Sequence, residues 1–374
     1  MIAANTMNKI TIQKEPTMKK QLVAFAFLTA LYPTYSQVDK VDEAIKGLMQ
    51  KNKIIGLQIA VVKNNAIVKT NNYGLANIQD SIPVDSKTVF SINSMVKAFT
   101  GVAIMQLVEK GKLNLDDPIS KYIDKLPNPW QNITIKQLAT HTSGLPDIWA
   151  SENNMLAEDS ETLFKKIKEL PTVFKAGEGL RYCQTNYLLL GMIIEKISGT
   201  TYGAFLQENQ FAKAGMKNTI KAGLGDYYTI INHAARPYSY FRNGSLTNVY
   251  EVIPANLFPA AGIYSTATEI AQWVISLQDN TFINAENLKM LWTPILLNNG
   301  KKPRTENPDE GTAIGFDTNL RAKNPVIMQL GGARNALYIY PQEDVSVVIL
   351  TNLQGAHPQR FIEEIAQLYL PVQH

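Results

Sequence analysis

Apolar positions along the chain follow two different periods. Val38 to Lys51 places Val41, Ala44, Ile45 and Leu48 on one face of a helix. The next stretch, "GLQIAVVKNNAIVKTNNYG", reads as two β-rich runs around Asn64-Asn65, which predicts a hairpin. Near the other end, "NALYIYPQEDVSVVILTN" predicts a second hairpin that turns at Gln342-Glu343-Asp344. A last helix, Pro358 to Leu370, puts Phe361, Ile362, Ile365, Leu368 and Tyr369 on one side.

Between the hairpins the period becomes helical, from Met95 to about Gly215. "MVKAFTGVAIMQLVEKG" carries Val96, Phe99, Ala103 and Leu107 as a stripe, with Gly111 as its stop. "NYLLLGMIIEKISG" predicts another helix, ended by Gly199, and "DSETLFKKIKEL" a solvated one. Strands at both ends with helices between them predict an α+β fold, an α/β sandwich. One antiparallel sheet is built from both termini and flanked by helices, and a mostly helical subdomain is inserted over about residues 90–255. A cleft between the two parts is the default place for a site.

Composition changes this picture mainly at the N-terminus. With 45% hydrophobic residues, the chain can bury a sizeable core. "MKKQLVAFAFLTALYPTYSQ", starting at Met18, has two lysines, an apolar run and then small or polar residues. That layout predicts a secretory signal, with cleavage near Ser36-Gln37, rather than a membrane span. Residues 1–36 are therefore expected to be a leader, and the location periplasmic or secreted. The membrane would be met only through an uncleaved leader. The leader holds Lys9, Lys14, Lys19 and Lys20 against Glu15, so 32 of the 36 basic and 31 of the 32 acidic residues remain. That balance gives no reason to invoke nucleic acid. The single cysteine, Cys183, excludes an internal disulfide and a Cys-rich metal site.

Exclusion narrows the chemistry. The four histidines form no H-E-x-x-H, no G-x-S-x-G elbow occurs, and the nucleotide-binding glycine motifs are missing. Neither metal nor cofactor is expected. What remains is "SINSMVKAFTG", with Lys97 three residues after Ser94. That spacing puts both side chains on one helix face, about 5–6 Å apart at Cβ. A lysine takes a serine proton only when neutral. The site must therefore lower a pKa of about 10.4 by burial or a nearby cation, or recruit a second base such as a tyrosine. The spacing alone also fits a helix N-cap serine followed by a solvated lysine, since about one S-x-x-K arises by chance in a chain of this composition.

The neighbourhood adds to the motif. "SINSMVKAFTGVAIMQLVEKGKLNLDDPISKYI", "ITIKQLATHTSGLPD", "RYCQTNYLLLGMIIEKISGTTY", "PAAGIYSTATEIAQW" and "QLGGARNALYIYPQEDVSVVILTN" follow one another in that order. This order resembles the serine β-lactamase-related family, in its branch of class C β-lactamases, DD-peptidases and esterases. The resemblance runs from about Val38 to Leu370 and implies one β-lactamase/transpeptidase-like catalytic domain over 37–374. It puts Ser94 on the acylated serine, Lys97 on its paired lysine and Tyr182 on the tyrosine of the Y-x-N element. Gly332 falls where a strand N–H joins that of Ser94 in the oxyanion hole. The implied chemistry is acyl transfer, with Ser94 attacking a carbonyl, Lys97 and Tyr182 moving protons, and water releasing the acyl group.

Two positions depart from the family. Y-x-N reads Tyr182-Cys183-Gln184, which keeps the amide on a longer arm. The K-T-G or H-x-G element reads Gln329-Leu330-Gly331, so a neutral amide stands where a cation would attract a carboxylate. Gln184, Gln329, Gly331 and Gly332 are the expected substrate-binding positions, and Arg334 is a candidate to restore a charge. An ester or amide without an obligatory carboxylate is then the expected substrate, rather than a β-lactam.

His141 reads as a structural residue at a turn, and Cys183 as a packed residue. "YSYF", Tyr238 to Phe241, reads as either a cleft wall or strand packing. Three function classes compete: an exported serine hydrolase on an ester, amide or β-lactam carbonyl of a small molecule or peptide; a penicillin-binding DD-carboxypeptidase on cell-wall peptides; and a non-catalytic binding or sensor protein. A purely structural exported protein would leave Ser94 unlabelled by any acylating probe.

Overall fold

Asn64 and Asn65 both adopt positive φ, 50° and 56°, in a two-residue turn. Asparagine tolerates that conformation, and the turn suits the right-handed twist of a hairpin. It joins β1 (Gly56–Lys63) to β2 (Ala66–Asn77). The computed structural model describes residues 39–149, 160–221, 230–241, 243–249, 257–303, 307 and 309–371. The expected leader lies outside them.

Five further strands and a short edge strand complete the main sheet: β3 (Ile82–Pro83), β4 (Glu310–Thr312), β5 (Asp317–Asn319), β6 (Val326–Gly331), β7 (Asn335–Tyr340) and β8 (Val345–Thr351). Their order is β3-β2-β1-β8-β7-β6-β5-β4, antiparallel throughout. The two expected hairpins thus meet at the centre, where Leu57 pairs with Thr351 and Lys63 with Val345. β8 is buried at all seven positions, because both faces of the sheet are covered. One face packs Leu57, Ile59, Val61, Val347 and Ile349 against Ile45 of α1 (Lys40–Lys51) and Ile365 near the C-terminus. The other packs Ala60, Val62, Val348 and Leu350 within the larger core, which also holds Phe99 and Trp273.

Most helices lie in the chain between β3 and β4. They include α2 (Val96–Glu109), α3 (Ile135–Ala139), α4 (Ser160–Lys168), α5 (Gln184–Ser198), α6 (Phe258–Ala261) and α7 (Ala267–Gln278). The expected apolar stripe on α2 understates its burial. Every residue from Val96 to Leu107 is buried, because this helix runs through the core rather than over it. Phe99 meets Trp273 with ring centroids 4.6 Å apart, and Phe211 at 5.5 Å.

Two expectations need correction, and one open reading is resolved. The C-terminal helix is short: a 3-10 turn at Pro358–Arg360, then α8 (Ile362–Ala366), with Phe361 at φ −138° between them. Leu368, assigned to its apolar side, is 45% exposed. α4 is not wholly solvated, since Leu163 and Ile167 are fully buried. "YSYF" resolves toward strand packing. Tyr238 sits in the core, with its hydroxyl donating to Gln79 Oε1 and accepting from the Ile78 N–H, while Phe241 is exposed. Among the described residues no helix is long and apolar enough to cross a membrane.

Candidate active site

Phe90–Ser91 pairs with the strand Ile263–Ser265, and the Ile92 N–H donates to the Ile263 carbonyl. This pairing fixes the chain just before a single 3-10 turn, Asn93–Met95, which leads into α2. Ser94 lies in that turn and Lys97 one residue into the helix, so their side chains meet. Lys97 Nζ donates to Ser94 Oγ at 3.2 Å. Tyr182 stands in the extended segment before α5, and its hydroxyl donates to Ser94 Oγ at 2.8 Å. Two donors therefore converge on one hydroxyl oxygen. For Ser94 to attack a carbonyl, one of them has to reverse and accept the serine proton.

Lys97 is 2% exposed, the opposite of the solvated lysine that spacing alone allowed. Its ammonium donates to the Ala260 carbonyl at 2.9 Å, at the end of α6. It also lies over the rings of Tyr182 and Tyr187, 4.8 and 5.1 Å from their centroids. Such an aromatic and carbonyl cradle holds the amine at the serine. Tyr187 is fully buried, and burial raises its phenol well above the ordinary value, so it stays protonated and donates to the Ala139 carbonyl. Neither Tyr187 nor the Ala260 carbonyl was legible as part of the site. A backbone carbonyl leaves no signal in a sequence, and Tyr187 reads as one more apolar position of α5.

The strand end is pressed against the nucleophile turn. A Cβ on Gly331 would lie 2.1 Å from the Ile92 carbonyl oxygen. One on Gly332, at φ +58°, would lie 2.6 Å from Asn93 Oδ1. Only glycine allows this approach.

Gln184, at the start of α5, donates its N–H to Asp147 Oδ1 at 3.0 Å. Its side-chain Oε1 is buried and has no partner among the described residues. Gln329 departs from the expectation of a cleft-facing amide. It is 6% exposed, its Nε2 donates to the Gly315 carbonyl and its Oε1 accepts the Leu330 N–H. Both ends of the amide are thus taken up within the protein. Arg334 does not restore a charge to the cleft either. It is 2% exposed, and its Nε donates to Asn93 Oδ1 at 2.8 Å. It thereby braces the residue before Ser94, which holds an unusual φ of +47°.

The "HTSGLPD" stretch is sewn to the front of α5. Thr134 and Gln137 form a reciprocal capping box that starts α3. Ser143 Oγ donates to Asn186 Oδ1, Thr185 Oγ1 to the Pro146 carbonyl, and the Ile148 N–H to Thr185 Oγ1. Cys183 is buried between them, and burial pushes its thiol up to about 11, which leaves it an unreactive packed residue. Among the described residues no group of three or more His, Cys, Asp and Glu could hold a metal.

His141 is buried, and burial, with the nearby Lys97 charge, lowers its pKa to about 3. Its other close neighbours are the tyrosines 182 and 187, Cys183 and Asn186. The folded imidazole thus stays neutral where an unfolded one, at about 6.5, takes up a proton. Through this group, stability is fully present above about pH 6.5 and falls at lower pH. The loss is about 1.4 kcal/mol per unit between roughly 6.5 and 3. His141→Asn is expected to lose this component. Urea unfolding at pH 7 and pH 5 should show wild type losing about 2 kcal/mol more than the variant over that interval. Parallel losses would refute the assignment.

The family model for Beta-lactamase matches residues 41–370. The chain belongs to the Beta-lactamase family. Among relatives, Protein flp of Staphylococcus aureus (strain MW2) is 26% identical over 341 residues, covering 89% of this chain and 66% of its own length. This Beta-lactamase-family chain therefore spans slightly less than two thirds of that relative. Among solved structures, a penicillin binding protein from Bacillus halodurans superposes with a TM-score of 0.73 at 26% identity, over 87% of this chain and 99% of the other. D-amino acid amidase from Ochrobactrum anthropi SV3 has the same fold, with a TM-score of 0.73 at 21% identity, over 88% of this chain and 99% of its own. Membership of this family supports a serine hydrolase.

Proposed function

We propose that this chain is an exported serine hydrolase that forms an acyl-enzyme on Ser94. The observation that carries the reading is the convergence of Lys97 Nζ and Tyr182 OH on one serine oxygen. Ser94 attacks a carbonyl and its proton passes to the Lys97–Tyr182 pair. The backbone N–H groups of Ser94 and Gly332 receive the developing oxyanion. The protonated pair then returns the proton to the leaving group, and water releases the acyl chain by the same steps in reverse.

The substrate we favour is an ester or amide without an obligatory carboxylate. Gln329 brings no cation, and Arg334 spends its guanidinium beneath the nucleophile turn.

Intact-mass spectrometry of the purified protein tests this. Incubation with a fluorophosphonate should add one adduct that is absent from Ser94→Ala, whereas a penicillin should leave little stable adduct. Stable penicillin labelling would favour a cell-wall DD-carboxypeptidase. No adduct from either probe on folded protein would favour a binding or sensor protein.

A further inference from the structure

Tyr182 is half exposed, so core packing alone does not decide where its hydroxyl stands. His141 grips the chain on both sides of it. The Arg181 N–H donates to the His141 carbonyl at 3.0 Å, and the Cys183 N–H donates to His141 Nδ1 at 3.1 Å. The imidazole ring also lies against the Tyr182 ring, with centroids 4.5 Å apart and planes inclined by 37°.

The imidazole is itself fixed. Because a backbone N–H donates to Nδ1, the ring proton belongs on Nε2. The Asn186 amide nitrogen is a second donor to Nδ1 at 3.1 Å, and Asn186 Oδ1 is held in turn by the Ser143 hydroxyl at 2.6 Å. His141 adopts φ +57°, a conformation that few non-glycine residues hold and that histidine tolerates better than most. The ring's hydrogen bonds and ring contacts go to Cys183, Asn186, Tyr182 and Tyr187.

We infer that His141 is a positioning residue that sets the place of the Tyr182 hydroxyl against Ser94. This rests on the reading of Ser94 as the acylated nucleophile. The imidazole offers a hydrogen-bond acceptor to the tyrosine's neighbour and a flat face to its ring. Without the imidazole the Arg181 bond to the backbone carbonyl remains, but the Cys183 N–H and the Tyr182 ring lose their partner, and Tyr182 OH drifts from Ser94 Oγ. A displacement of about 1 Å in such a site costs on the order of 100-fold in rate.

The test is the kinetics of fluorophosphonate labelling of Ser94, separated into the maximal rate and the half-saturating concentration. Asparagine tolerates positive φ and its Oδ1 replaces Nδ1 as acceptor. His141→Ala should label about 30- to 100-fold more slowly at saturation, with half-saturation within about twofold of wild type. His141→Asn should come back to within about fivefold of wild type. Rates are referred to folded protein, measured by urea unfolding. If His141→Ala does not fold, His141→Gln, whose amide sits one methylene too far out, takes its place. Wild-type maximal rates in the folded variants, a change confined to half-saturation, or equal slowing of the alanine and asparagine variants would overturn the inference. Wild type that fails to label at all would instead overturn the acylated-serine reading, and this inference with it.

Discussion

Lys97→Met is expected to slow acylation of Ser94 by about 10³–10⁴-fold, at the upper range for losing a proton-transfer group. Methionine approximates the length and shape of lysine and suits a buried site. The ammonium it replaces touches Ser94 Oγ, the Ala260 carbonyl and two tyrosine rings. Removing it leaves the Ala260 carbonyl without this donor, a cost of about 1–3 kcal/mol. Relief from burying a charge offsets that cost. Stability should therefore change little while chemistry collapses. Thermal unfolding read beside the fluorophosphonate labelling rate checks both halves. A variant that labels at more than a tenth of the wild-type rate would show that Lys97 has no essential part in moving the proton.

Gly331→Ala should strongly slow acylation of Ser94 although it lies outside the catalytic trio. Its methyl would lie 2.1 Å from the Ile92 carbonyl oxygen and 3.2 Å from Met95 Cγ. The first obstacle is backbone, and Ile92 is already tied to Ile263. Relief therefore requires the end of β6 to draw away from the turn that carries Ser94. The Gly332 N–H moves with it. Loss of one such oxyanion donor costs about 10²–10³ in rate. Gly47 supplies the contrast, since nothing lies within 4 Å of a Cβ built on it in α1. Gly47→Ala should raise stability by about 0.5–1 kcal/mol through helix propensity and leave labelling unchanged. Similar labelling rates in the two variants would refute the role given to Gly331.

The chain shows which parts of such a site can be read in advance. Ser94 and Lys97 lie within one turn, so sequence spacing already limits their distance. Both hairpins announce themselves through alternation and turn residues. Gln329 and Arg334 were harder to read. Strand alternation says that neighbours face opposite sides, but the partners on each side come from distant segments. Gln329 meets Gly315, and Arg334 meets Asn93. Burial of α2 on every side was hidden for a similar reason. An amphipathic reading assumes a solvent face, and α2 has none until its last turn.

The pairing of β1 with β8 also constrains how the molecule is made. Leu57 leaves the ribosome roughly 290 residues before its partner Thr351, about 15–60 s at ordinary synthesis rates. Throughout that wait the hairpin of β1 and β2 carries an apolar, unpaired edge, the kind of edge that recruits other strands. Closing so long a loop also delays the sheet itself. This architecture therefore obliges the nascent chain to stay sheltered until β8 has been added. Truncation within β8 should yield not a smaller folded protein but an insoluble one.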